Sequence, residues 1–212
     1  MELIKHGHAC VVLCEGERRL VIDPGVFTDP TAFAGASAVL LTHEHPDHFA
    51  PDHLRAAMDA DPALEVWTNG SVASLLDDLG GRVHVVGDGD AVTAAGFDVH
   101  VHGELHAEIH PEIPRIKNIG FLVESQEFHP GDALTVPAEP VETLLLPLHA
   151  PRARTAELIE YMRAVHADQA YAVHDGLLND AGLGVVAGLL GERGPGTPTP
   201  MARLAPGDSV EL

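Results

Sequence analysis

The stretch that most constrains this chain is Thr42-His43-Glu44-His45-Pro46-Asp47-His48. Four residues of metal-ligand type fall within six positions, directly after the apolar run Ala38-Val39-Leu40-Leu41, which reads as a buried strand. His43 and His45 are two apart, so in extended chain they face the same way. Pro46 fixes its own φ and biases His45 towards extended geometry. Asp47 and His48 follow the bend and point at a neighbouring position. Any fold built on this pattern must carry the end of a buried strand to a site. There it offers one pair of ligands to one metal and a second pair to another.

The rest of the chain must supply a core around that strand and complete the site. At 212 residues, one domain spanning 1–212 is the expectation. No apolar run approaches the ~18 residues of a membrane span. The start, Met1-Glu2-Leu3-Ile4-Lys5, lacks the basic segment and apolar stretch of a secretory signal, so the cytoplasm is the expected location. Twelve Lys and Arg against 32 Asp and Glu give a net charge of −20. Such a field repels phosphate backbones and argues against nucleic acid as a partner. Cys10 and Cys14, four apart on an expected strand, would lie ~13 Å from each other, too far for a disulfide.

Periodicity and turn residues set out the elements. Strands are expected over 2–6, 9–14 and 19–23, the last ending in Asp23-Pro24-Gly25. A helix over 51–60 opens with Pro in its first turn. A strand over 64–67, a helix over 70–79 closed by Gly80-Gly81, and strands over 83–86, 91–94 and 97–101 follow. His100 and His102 share one strand face, and His106 lies past Gly103 at the strand's carboxyl end. Strands over 118–124 and 143–149, helices over 155–166 and 180–190, and a strand over 170–173 ending in His174-Asp175-Gly176 complete the pattern. Residues 201–204 and 209–212 suggest a closing hairpin.

Taken together, Asp23-Pro24-Gly25, the Thr42–His48 pattern, His106, Gly131-Asp132 and His174 resemble the five spaced motifs of the metallo-β-lactamase-fold hydrolase superfamily. The resemblance covers nearly the whole chain. The small size is most similar to its compact branch of metal-dependent hydrolases related to the ascorbate-phosphate lactonases. It implies an α/β fold of the four-layer αββα type. It also implies that Asp23 orients neighbouring ligands, that His43, His45 and His106 hold one metal, and that Asp47, His48 and His174 hold another. Asp132 would bridge the two, with His102 as the competitor of His106. Asp47 and Asp132 would be the catalytic carboxylates.

Such a donor set has nitrogen and oxygen and no thiolate. It suits two divalent ions, with Zn²⁺ the default and Mn²⁺ or Fe²⁺ open. Two ions ~3.5–4 Å apart would share a hydroxide that attacks a small ester, lactone or phosphoester. No Ser or Cys nucleophile is required. Substrate choice would fall to the rim: His110, Arg115, Lys117, His149 and Arg152, with Arg154 beside them, a cationic set suited to an anionic group. His110 lies in an irregular Pro-flanked loop of the kind that forms a pocket rim. His129 reads as a structural histidine. Two other functions fit the same motifs: a phosphodiesterase or nuclease, disfavoured by the charge, and a metal-binding module that kept the fold without catalysis. A small-molecule substrate is expected, with no membrane partner, and self-association is left open.

Overall fold

The computed structural model describes residues 1–151, 153–191 and 193–212. In chain order its strands are β1 (Glu2–Lys5), β2 (Val11–Glu15), β3 (Arg18–Ile22), β4 (Ala38–Leu41), β5 (Glu65–Thr68), β6 (Val83–Val85) and β7 (Ala91–Ala94). They continue as β8 (Phe97–His102), β9 (Gly120–Val123), β10 (Glu127–His129), β11 (Thr143–Pro147), β12 (Gln169–Val173), β13 (Met201–Ala202) and β14 (Ser209–Glu211). The helices are α1 (Pro51–Ala60), α2 (Gly70–Ala73), α3 (Thr155–Val165) and α4 (Asp180–Leu190).

Two seven-stranded mixed sheets form, in the orders β14-β1-β2-β3-β4-β5-β6 and β13-β12-β11-β10-β9-β8-β7. Each combines an antiparallel run with a parallel one: β14, β1, β2 and β3, then β4 to β6, in the first. In the second, β7 to β10 are antiparallel and β11 to β13 parallel. Alternation along the strands sends one set of side chains between the sheets, among them Leu13, Leu20, Leu40, Phe97, Phe121 and Leu145. The opposite set faces the helices. Val12, Val39, Leu41 and Val66 meet Leu54 and Met58 of α1, and Leu144, Leu146 and Ala172 meet Leu158 and Met162 of α3. Three apolar layers between four structural layers make the αββα sandwich, with each fully buried Leu or Phe contributing about 1.5–3 kcal/mol. Lys5 crosses between the sheets. Its buried Nζ donates to Ala172 O at 2.9 Å and to Asp175 Oδ1 at 3.1 Å.

Two sequence expectations are corrected. The helix expected over 70–79 stops after Ala73 and is followed by a 3-10 segment, Asp77–Arg82. Ser74 Oγ donates back to Gly70 O, and Leu76 leaves helical φ/ψ at −124°, 21°. Arg55 then draws Leu75 O and the Asp78 carboxylate towards α1. The expected closing hairpin does not form either: β13 joins β12 in one sheet, and β14 joins β1 in the other. The short segments lie where each sheet offers an open edge.

Candidate metal centre

The sheet order brings the carboxyl ends of β3, β4 and β12 to one edge of the sandwich. β3 and β4 pair in parallel with Ile22 opposite Leu40, so Asp23 and Thr42 emerge side by side. Asp23 is fully buried and sits at φ 51°, a left-handed conformation uncommon outside glycine that holds its carboxylate under the loop. Its Oδ1 accepts from Thr42 N at 2.8 Å. Its Oδ2 accepts from Thr42 Oγ1 at 2.6 Å and from His48 Nδ1 at 2.7 Å. Gly25 completes the clasp, because a Cβ there would stand 2.0 Å from Asp47 O. The loop 43–48 is thus held by the end of the neighbouring strand.

The second sheet contributes single residues. Asp132 follows β10 through Gly131, and Asn118 fixes that turn: its Nδ2 donates to Pro130 O at 2.9 Å and its Oδ1 accepts from Asp132 N at 2.9 Å. Gly131 lies at φ 62°, and a Cβ on it would strike Asn118 Oδ1 and Thr42. His174 follows β12 at φ 54°. His106 lies beyond β8, where its N donates to Ile116 O at 3.0 Å. Two groups result: His43, His45, His106 and Asp132, and His8, Asp47, His48 and His174, the ligand-type atoms of each lying within 4.8 Å of one another. Asp132 ties the groups together, with Oδ2 3.3 Å from both His106 Nε2 and His174 Nε2 and Oδ1 3.5 Å from His48 Nε2.

The hydrogen bonds on the far side of each ring decide which nitrogen faces inward. A neutral imidazole that donates through Nδ1 presents a bare lone pair at Nε2. His48 Nδ1 donates to Asp23, His106 Nδ1 donates to Ala107 O at 2.6 Å, and His174 Nδ1 donates to His149 O. His43 Nδ1 donates to Thr42 Oγ1 at 3.0 Å, whose own proton goes to Asp23. The inward atoms His48 Nε2, His106 Nε2, His174 Nε2 and Asp132 Oδ1 are buried without a hydrogen-bond partner. With the rings neutral, lone pairs of nitrogen thus face carboxylate oxygens at 3.1–3.5 Å. That arrangement is repulsive until positive charge enters it. The donor set fits divalent transition metals.

Proton affinities carry the same signature. Burial works against charge at Asp132, yet His106, His174 and His48 outweigh it and hold the carboxyl well below the usual carboxylate range. Asp47 is likewise lowered by His174 and His8 against the effect of burial. Burial opposes the charged form of His48, but Asp23 and Asp132 push it up to about 10. His43 is lowered, chiefly by burial. The site favours cationic occupancy at its centre, by protons or by metal.

The structure brings His43, His45, Asp47, His48, His106, Asp132 and His174 to one place, with Asp23 beneath them. His102 lies apart, with Nε2 3.5 Å from Glu139. His129 is buried beside the site, donating through Nε2 to Ala9 O at 2.9 Å. Of the rim residues, His110, Arg115 and Arg154 line a groove of about 700 Å³, and Arg115 Nε donates to His106 O at 2.7 Å. Lys117, bridged to Leu105, instead lines a separate groove with Asn69 and Gly103. His149 contributes its main-chain oxygen. Arg152 lies outside the described residues. Three residues escaped sequence reasoning: His8, Asn118 and Asn69, whose Nδ2 donates to Thr42 O at 3.0 Å. Strand polarity was the available signal for His8, since the β1–β2 turn lies at the same edge as the end of β3.

Over both groups sits a cavity of about 280 Å³ lined by His45, Asp47, His106, Asp132 and His174, with Ile109, Pro151 and Leu177 as its apolar wall. A family model described as "Beta-lactamase superfamily domain" matches residues 2–174. Among relatives, Protein Rv0786c of Mycobacterium tuberculosis is 37% identical over 198 residues, covering 91% of this chain and 92% of its own. A UPF0173 metal-dependent hydrolase of Natranaerobius thermophilus is 31% identical over 140 residues, covering 62% and 60%. The metallo-beta-lactamase fold protein YhfI of Bacillus subtilis superposes with a TM-score of 0.73 at 12% identity, over 99% of this chain and 98% of that one.

Proposed function

We propose that this chain, which belongs to the beta-lactamase superfamily and is a metal-dependent hydrolase, works with two divalent ions on a small ester, lactone or phosphoester. The observation that carries the two-ion reading is the set of buried, unpartnered Nε2 atoms of His48, His106 and His174 facing Asp132 and Asp47. His43, His45 and His106 would hold one ion, Asp47, His48 and His174 the other, and Asp132 would hold both. When bound, such ions supply a water acidified from ~15.7 towards ~7 and a Lewis acid for the oxygen under attack. Zn²⁺ suits the imidazole-rich set best, with Mn²⁺ and Fe²⁺ as alternatives.

The chain's own groups do the rest. Asp132, nearly sealed from solvent, fixes the spacing of the two groups and balances their charge. Asp47 has 22% of its side chain exposed and lines the cavity, so we assign it the handling of protons at the mouth. Ile109, Pro151 and Leu177 exclude water and accept an apolar part of the substrate. Ile109 also lines the larger groove, where Arg115 and Arg154 suit an anionic group. A net charge of −20 supports a small substrate over a nucleic acid. Among the described residues no helix is long and apolar enough to cross a membrane. We place the protein in the cytoplasm, where the free thiols of Cys10 and Cys14 persist.

The test is a panel of lactones, carboxyl esters and phosphodiesters offered to protein loaded with Zn²⁺, Mn²⁺ or Fe²⁺. At least one class should turn over, and a chelator should abolish it. Asp132→Asn should weaken metal binding and lower that activity by at least about a hundredfold, the upper scale for losses in outer-sphere ligand support. No turnover by fully loaded protein would leave a metal-binding module. An Asp132→Asn variant with full activity and metal would place the bridge elsewhere.

A further inference from the structure

Of the seven imidazoles at this edge, His45 turns its Nδ1 inward to His43 Nε2 at 3.1 Å, and the other six fall into two kinds, separated by what Nδ1 does. His43, His48, His106 and His174 donate through Nδ1 and leave Nε2 bare. His8 and His129 do the reverse. Gly131 N donates to His129 Nδ1 at 3.1 Å, and Gly176 N donates to His8 Nδ1 at 3.0 Å. A backbone N–H can only donate, so Nδ1 of each ring carries the lone pair and Nε2 carries the proton. His129 gives that proton to Ala9 O. His8 Nε2 lies 3.2 Å from Asp47 Oδ2.

We propose that His8, although it sits among the ligand-type residues of the second group, is a positioning residue that donates from Nε2 to Asp47 and does not ligate. A metal at that nitrogen would need the lone pair that the Gly176 contact assigns to Nδ1. The His8 side chain is fully buried, stacked at a tilt 3.9 Å from the His174 ring and edge-on to Phe27 at 5.2 Å, so the ring is fixed on both sides. Its main chain joins the same arrangement, with His8 O accepting from His174 N at 2.8 Å. One residue on the β1–β2 turn therefore sets both the Asp47 carboxylate and the His174 backbone. Asp47 needs such a brace: its side chain is 22% exposed, against 5% for Asp132 and 0% for Asp23. One hydrogen bond to Oδ2 limits the rotation of a group that must ligate from the tip of a loop. This inference rests on the reading of Asp47, His48 and His174 as an ion site.

Substitutions at His8 separate a brace from a ligand. Gln places an N–H donor where Nε2 stands, whereas Asn keeps only an acceptor where Nδ1 stands. In metal titrations followed by elemental analysis, His8→Asn and His8→Ala should weaken one of two ions about tenfold to a hundredfold. His8→Gln should stay within a few-fold of the wild type. In ¹⁵N–¹H correlation spectra of zinc-loaded protein with labelled histidine, His8 should show a proton on Nε2. A bare His8 Nε2 in the two-ion protein, or equal losses in the Gln and Asn variants, would overturn the proposal. Protein that takes up one ion while His8 Nε2 stays protonated would sink the two-ion reading and still support the His8 assignment.

Discussion

The two halves of the molecule reach the same centre by opposite means. Both build a seven-stranded sheet with an antiparallel and a parallel part. The first half delivers His43, His45, Asp47 and His48 on a single loop, tied by Asp23, Thr42 and the close approach of Gly25. The second half delivers His106, Asp132 and His174 from three separate places, with His106 and His174 each oriented by one main-chain oxygen. A loop with shared braces would couple metal binding to folding, because the far-side bonds of His43 and His48 are also bonds of the loop. Ligands held one by one can be lost singly.

Equivalent substitutions in the two halves should therefore differ. His43→Ala should remove one ion and also lower the stability of the metal-free protein by about 1–2 kcal/mol, since Thr42 and Asp23 lose part of their buried network. His106→Ala should remove one ion with a smaller loss in metal-free stability, because its Nδ1 bond reaches only the adjacent Ala107 O. His102→Ala, away from the centre, should leave metal content unchanged. Elemental analysis and urea denaturation of the three variants check the order. Equal stability losses for His43→Ala and His106→Ala would break the contrast.

The smallest effect on the centre, and one specific to the second half, concerns Glu127 at the start of β10. Both of its carboxyl oxygens are buried without a hydrogen-bond partner, and burial pushes its pKa up to about 8. A raised folded-state value means the unfolded chain gives up its proton first, near pH 4.5. The neutral form's contribution is fully present below that pH and is lost as pH rises to about 8. At pH 7 the loss is of order 3 kcal/mol. Glu127→Gln should flatten the fall in stability between pH 5 and 8 and leave metal content intact. An unchanged pH slope would show that Glu127 is not the group responsible.

The first half was legible because its ligands sit next to each other in sequence. The pattern after Ala38–Leu41 needs only local geometry, and α1 and α4 span the residues expected of them, 51–60 and 180–190. The second half needed topology. His102 and His106 look alike in sequence, and only the turn beyond β8 separates them in space. His8 and Asn118 act through main-chain partners far along the chain, Gly176 and Pro130, so no local pattern announces them. The end of α2 depended on Arg55, twenty residues away from Leu75. The last two strands chose between sheet edges that the sequence does not reveal.

The central claim is that the two halves close on a pair of ions through Asp132. Metal-free protein titrated with Zn²⁺, Mn²⁺ and Fe²⁺ under anaerobic conditions and weighed by native mass spectrometry measures this directly. The account predicts two ions per chain at saturation with at least one of these metals, and one or none for Asp132→Asn at the same concentrations. A wild-type chain that never holds more than one ion would contradict it.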